Sequence, residues 1–320
     1  MGGGGIWAKY VNDFKARVIA DGGTMESPSC AKSDVKFLVQ NPEPVSFTGL
    51  LNDYSGAAAA YSLRLLDNTY TGNAIKVRRA SDNAEQDIAF ANNELDTATL
   101  ETFASGTDAF VTTWYDQSGN GNDATQTAAS AQPKIASSGS TILENGKAAV
   151  ELITGSNQFM NLSNISFSSG ITNFNVLKPN TDPTYWQYIY IYDGVSNSYG
   201  IAFSDNSSYD HRNIIMGTQA LSNDSISADF TQQLLTAYYY GIGTNPSDGT
   251  MHIDGASAPL NAAALWGNVK TSSALGFYPS GNPSANYFKG KIQEVILYDS
   301  DQSSNRTGIE TNINDFYSIY

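Results

Sequence analysis

Apolar and polar residues alternate in short stretches through most of this chain, and clusters of Gly, Asn, Ser and Asp separate the stretches. The pattern predicts strands at Phe110–Tyr115, Ala148–Leu152, Asn173–Leu177, Trp186–Tyr192, Gly200–Phe203, Asn213–Gly217, Gln233–Gly241, Thr250–Ile253, Ser273–Phe277 and Gly290–Tyr298. Strands at this spacing, without long helices between them, argue for a sandwich or barrel. Helical spacing is confined to a few places. Ala57 to Leu66 is an Ala-rich run, Asp96 to Ala104 reads as a short helix, and a closing helix runs to Tyr320. Near the start, Ile6, Tyr10, Val11, Phe14 and Val18 lie on one helical face, and Asp21-Gly22-Gly23 ends it. A second short helix follows through Cys30, Val35, Phe37 and Leu38, with Ser27 or Ser29 as its cap.

Asn41-Pro42-Glu43-Pro44 is a stiff extended connector, because proline fixes its own φ and biases its predecessor away from helix. The chain therefore reads as an N-terminal docking segment of residues 1–42 and a β-domain of residues 43–320. The apolar stripe Ile6, Tyr10, Phe14 and Val18 is too small to form a core and calls for a partner surface.

Composition narrows the function. Only 15% of residues are charged, and the net charge is −14. Nucleic-acid binding needs clustered Lys and Arg, so that class is excluded. The single basic cluster, Lys76-Val77-Arg78-Arg79, alternates like a strand and is followed by Asp82, Glu85 and Asp87, which are expected to pair with it. Cys30 is the only cysteine, so no intramolecular disulfide forms. No secretory leader and no membrane-length apolar run is visible; a soluble protein made in a cytoplasm is the expectation, with a route of release that needs no leader left open.

Three blocks carry a resemblance. They are D-Y-S-G-A-A-A-A-Y-S-L-R-L-L from Asp53, Y-T-G-N-A-I-K-V-R-R-A-S-D-N-A-E-Q-D-I from Tyr70, and F-V-T-T-W-Y-D-Q-S-G-N-G-N-D-A-T-Q from Phe110. In this order they resemble the start of the catalytic domain of the α-L-arabinofuranosidase B family. They also resemble bacteriophage virion proteins that carry the same blocks, and A-R-V-I-A-D-G-G-T-M-E-S-P-S-C near the start is similar to an element of phage structural proteins. The strand Phe288–Tyr298 and its tail resemble laminin-G-like modules. The resemblance implies an all-β fold, a concanavalin A-like antiparallel β-sandwich (jelly roll), with a short, partly helical N-terminal extension.

Glycoside cleavage needs two carboxylates about 5–9 Å apart. The resemblance places the acid in a Gly-rich loop shortly before the last strand, yet no acidic residue lies between Asp254 and Glu294. Around Tyr199–Ser204, where the family nucleophile would fall, there is no Glu, and the family's vicinal cysteines are absent. This reading leads to a non-catalytic bacteriophage virion protein on the particle surface, a capsid decoration, head fibre or tail-associated protein with glycan adhesion. Its residues 1–42 would contact other virion proteins. The alternatives are an arabinofuranosidase-like hydrolase with relocated carboxylates, such as Asp205, Asp210, Asp224 or Asp229, and a free lectin-like module.

Two further sets of residues stand out. The loop Trp114 to Gln126 offers Trp114, Asp116, Asn120, Asn122 and Asp123 for a sugar. The same oxygens suit Ca²⁺, although their spacing is not the twelve-residue calcium loop; the other reading is that Asp116 ties down its own loop. His211 and His252 lack the spacing of a zinc site. Tyr188, Tyr190 and Tyr192 fall on one face if Trp186–Tyr192 is one strand. Aromatic stripes with few charges favour self-association, and closed symmetry would bury them as a homo-oligomer, a trimer above all.

Overall fold

The computed structural model describes residues 47–153, 157–167, 170–180, 187–188, 190–192, 199–206, 209–216, 219–223, 231–240, 249–258, 270–275 and 288–320. The chain divides into two units, Met1–Phe47 and Thr48–Tyr320. Apart from Phe47, the described residues belong to the second. Ile6, Tyr10, Phe14 and Val18 lie outside them.

The second unit is mostly antiparallel β-sheet with few helices. Its principal strands are β1 (Ala57–Ser62), β2 (Ile75–Arg79), β3 (Ala109–Trp114), β4 (Lys134–Ser137), β5 (Val150–Leu152), β6 (Met160–Phe167), β7 (Gly170–Pro179), β8 (Tyr199–Asn206), β9 (Tyr209–Met216), β10 (Gln219–Asn223), β11 (Gln233–Tyr240), β12 (Gly249–Ile253), β13 (Lys270–Leu275) and β14 (Gly290–Tyr298). The helices are α1 (Leu50–Asp53), α2 (Thr97–Ala104) and α3 (Arg306–Tyr317).

β14 organises the molecule. It pairs along its length with β7 on one side. On the other side it pairs with β1 through Glu294–Tyr298 and with β5 through Gly290–Ile292. Beyond β7 come β11 and β12. Successive residues of a strand point to opposite faces, and here both faces are covered. Val295 and Leu297 join a core with Tyr61, Trp114, Phe167 and Leu177. Ile296 and Tyr298 join a second core with Phe174, Leu50 of α1, and Ile309, Ile313 and Tyr317 of α3. That is why V-I-L-Y reads as unbroken apolar sequence. Fully burying a side chain of this size contributes about 1.5–3 kcal/mol. Gly290 is required where β14 begins, since its φ is +146° and a Cβ would stand 2.1 Å from the Lys178 carbonyl oxygen.

Two expectations are corrected. The Ala-rich run is not a helix over Ala57–Leu66; residues 57–62 form β1, with Ala59, Ala60 and Tyr61 fully buried. Alanine favours helix only weakly, and tertiary packing overrides such preferences. Here the small side chains let β1 lie between two cores, with its backbone bonded to β14. The aromatic stripe is also not one strand. Gln187–Tyr188 pairs with β8, whereas Tyr190–Tyr192 pairs with β13, in a different sheet. The helix predicted at Asp96 is present: the Asp96 carboxylate accepts from Thr99 N at 3.0 Å and caps α2. In the basic cluster, Arg79 pairs with Asp82 at 2.6 Å, while Arg78 donates to Gln132 and Asn83.

Burial fixes α3 to the sheet through charge as well. Arg64 donates to both oxygens of Glu294, at 2.8 and 3.0 Å, and to Asn312 Oδ1 of α3 at 2.8 Å. Ser62 Oγ and the Tyr317 hydroxyl also donate to Glu294, at 2.7 and 3.3 Å. The Arg64 guanidinium lies over the rings of Phe316 and Tyr317.

A second buried cluster, His252 on β12 with Arg306 and Glu310 on α3, predicts a pH effect. Burial first, and then the Arg306 charge, lowers the His252 pKa from 6.5 to about 4. Unfolded chains take up this proton below about pH 6.5 and the folded protein does not. Its contribution is therefore fully present above that pH and is lost as the pH falls toward 4. After allowance for solvent screening, the loss is on the order of 2 kcal/mol. Burial raises the Glu310 pKa, which acts in the opposite direction, so the difference between proteins isolates the histidine. Urea unfolding of wild type and His252→Gln at pH 7 and pH 4.5 should show a smaller acid loss in the variant. Equal losses would contradict this account.

Candidate functional site

The loop after β3 is built around Asp116, which is 4% exposed. Its Oδ1 accepts from Ala60 N at 2.8 Å and Ser118 N at 2.9 Å, and its Oδ2 from Ser118 Oγ at 2.7 Å and Asn122 N at 3.0 Å. Asn120 and Asn122 donate their amides to the Ala57 and Ala58 carbonyls. Gln117 donates to the Ser62 and Arg64 carbonyls and accepts from Leu66 N. Gly119 and Gly121 take positive φ, as the turn demands. The loop thus satisfies the outer backbone edge of β1. N–H and O–H donors already hold the carboxylate oxygens of Asp116 that a Ca²⁺ ion would need.

This geometry predicts a structural effect for Asp116→Asn. The amide would place an N–H against the Asn122 N–H and remove the charge from four hydrogen bonds. The expected cost is about 2 kcal/mol, read as a lower urea midpoint with unchanged slope. A midpoint equal to wild type would contradict it.

Trp114 is 1% exposed and packs against Tyr61 with ring centroids 6.2 Å apart. It belongs to the core beneath the loop. Asp123 is different. It is half-buried, its Oδ1 accepts from Asp116 N at 2.9 Å, and three tyrosines respond to its charge. Burial, then the charges of Asp123 and Asp116, raises the Tyr70 hydroxyl to about 12. Tyr61 and Tyr115 are also raised, each mainly by burial and further by neighbouring carboxylates that include Asp123.

The register of the four-stranded sheet supplies a second constellation. β8 and β9 form a hairpin in which Asp205 stands directly opposite Asp210, two pairs away from Phe203 opposite Arg212. β9 in turn sets Arg212 opposite Asn223 of β10. Directly opposite residues of an antiparallel pair share a face, with Cβ atoms about 4.5–5.5 Å apart. Asp224, Asp229 and residues 276–287 lie outside the described residues.

Other carboxylates are committed elsewhere. Glu294 is held by Arg64, Glu310 by Arg306, and Glu144 by Lys178 and Lys291, each at 3.0 Å.

The model of the catalytic domain of alpha-L-arabinofuranosidase B matches residues 53–183. A probable alpha-L-arabinofuranosidase B of Aspergillus flavus is 42% identical over 71 residues, which are 22% of this chain and 14% of that protein. The alpha-L-arabinofuranosidase B of Penicillium canescens is 41% identical over 71 residues, 22% of this chain and 15% of the relative. The matched stretch is thus a small part of each relative's length. Among solved structures, an arabinofuranosidase complexed with arabinofuranosyl-alpha-1,2-xylobiose superimposes with a TM-score of 0.54 at 18% identity. That superposition covers 80% of this chain and 62% of that one, and it shows a shared fold.

These matches overturn the expectation of a non-catalytic bacteriophage protein on a virion surface. The matched family model and the relatives are hydrolases, and the relatives are fungal. The acid-free stretch 255–293 had carried the non-catalytic reading together with the lack of Glu around Tyr199–Ser204 and of vicinal cysteines. It excludes that stretch as the source of a carboxylic acid, and it does not exclude hydrolysis.

Proposed function

We propose that this chain is a glycoside hydrolase that removes α-L-arabinofuranosyl groups from arabinose-containing polysaccharide. The observation that carries the reading is the match of residues 53–183 to the catalytic-domain model. The concanavalin A-like, jelly-roll form of the sandwich is part of the same proposal.

The chemistry needs one carboxylic acid to protonate the leaving oxygen and one carboxylate as nucleophile or base. Asp205 and Asp210 are the pair that the backbone register supplies. One of the two would act as the acid and the other as the nucleophile. We assign the pair the retaining mode, in which the second carboxylate attacks the sugar. In this reading Asp123, with Tyr70 and Tyr115 beside it, accepts from a substrate hydroxyl, while Asp116, Asn120 and Asn122 keep the loop in shape.

The test is turnover of 4-nitrophenyl α-L-arabinofuranoside and of arabinoxylan by wild type, Asp205→Asn and Asp210→Asn. Turnover above blank in wild type, lost in either variant, supports the proposal. Wild-type turnover equal to blank overturns it.

A further inference from the structure

A cleft of about 510 Å³ opens beside the start of α2, and neither Asp205 nor Asp210 is among its lining residues. Its lining includes the apolar residues Leu63, Leu95 and Ala148 and Phe316 of α3. Its charged groups are three carboxylates, Glu94, Asp96 and Glu101, and one cation, Lys147. Glu94 pairs with Lys147 at 2.7 Å, so the cation is already neutralised. Asp96 accepts from Thr99 N at 3.0 Å and Thr99 Oγ1 at 2.7 Å, and Glu101 accepts from Thr141 N at 3.0 Å. These hydrogen bonds hold Asp96 and Glu101 below the usual carboxylate range. A carboxylate has about four acceptor sites, so each keeps capacity for further donors. Leu143 stands on the lining, 47% exposed, one of two large apolar side chains so exposed among the described residues.

We propose that this cleft is a second carbohydrate site, which holds a neutral glycan chain without cutting it. The inference takes its ligand class from the proposed function. A volume in this range suits a small ligand. The apolar lining residues and Leu143 fit the C–H face of a sugar, and Asp96 and Glu101 accept from its hydroxyls. Anionic glycans are excluded by two uncompensated carboxylates. Cleavage is excluded as well, because both groups stay ionised and neither serves as a general acid. The site would keep a polysaccharide chain on the enzyme between cuts, which raises the effective concentration of the next bond.

The experiment uses the full chain carrying Asp205→Asn, so that substrate is not consumed, and arabinoxylan oligosaccharide as the probe. Amide chemical shifts at Asn92, Thr141 and Gly146 should move saturably. The same shifts should fall at least tenfold in apparent affinity with Glu101→Gln or Leu143→Arg added. Leu143 is exposed, so its variant should keep the wild-type thermal transition. Unmoved cleft amides, or movement that survives both variants, would overturn the inference. So would displacement of the oligosaccharide by a lysine-rich peptide that binds more tightly. Hydrolysis of the aryl arabinofuranoside by the otherwise wild-type Leu143→Arg protein reports on the catalytic reading separately. Cleft binding without hydrolysis in any form sinks that reading and leaves this site standing.

Discussion

Glu294→Gln is expected to cost about 3–5 kcal/mol, the usual effect of removing one partner from a buried ion pair. Glu294 is fully buried and accepts from Arg64, Ser62 and Tyr317. The variant leaves the guanidinium charge inside the protein, over the Phe316 and Tyr317 rings, with one neutral carbonyl in place of a carboxylate. For a domain of this size the thermal transition should fall by about 10 °C. The pair itself adds little net stability, because burying both charges costs nearly what their attraction returns. The double change Arg64→Met with Glu294→Leu should therefore recover most of the loss. A single variant that melts within about 2 °C of wild type would contradict the account.

The second large effect concerns rate. Asp205→Asn and Asp210→Asn should each lower turnover of arabinoxylan by about 10²–10⁴-fold, the range of a lost general acid or base. Their effects should diverge on an activated substrate. The nitrophenolate leaving group departs without protonation, so the variant lacking the acid keeps much of its activity on 4-nitrophenyl arabinofuranoside. The variant lacking the nucleophile loses both activities. Equal, small effects on both substrates would show that neither aspartate touches the reacting bond. An acid that must be protonated and a nucleophile that must be ionised give a bell-shaped pH–rate profile, and each variant should lose one limb.

Much of this was legible where a local rule and the global fold agree. Gly290–Tyr298 was predicted with the bounds that the structure shows, because a strand covered on both faces reads as continuous apolar sequence. Asp96 announced α2 by capping it. Ala57–Leu66 misled because alanine signals helix only while nothing competes, and β14 together with the Asp116 loop competes for that backbone. The stripe through Tyr188, Tyr190 and Tyr192 looked continuous because periodicity does not show where a chain passes from one sheet to another.

Contacts between distant residues left no sequence signal. Arg64 and Glu294 are 230 positions apart, and Glu94 and Lys147 of the cleft are 53 apart. Asp205 and Asp210 were visible as residues, yet only the hairpin register sets them opposite each other. The non-catalytic reading rested on an acid-free stretch, on the lack of Glu around Tyr199–Ser204 and on the absent vicinal cysteines. A fold that can bring carboxylates together from elsewhere makes such gaps weak evidence.

The central claim is hydrolysis by a closely spaced carboxylate pair, and the stereochemistry of the first product tests it most directly. Proton NMR of 4-nitrophenyl α-L-arabinofuranoside during its first turnovers by wild-type protein should show the α-anomer of arabinose appearing first, with the β-anomer following by mutarotation. Retention is the outcome expected when one of the two aspartates attacks the sugar as a nucleophile. Release of the β-anomer first would contradict the assignment of Asp205 and Asp210, and no release of arabinose above blank would contradict the account as a whole.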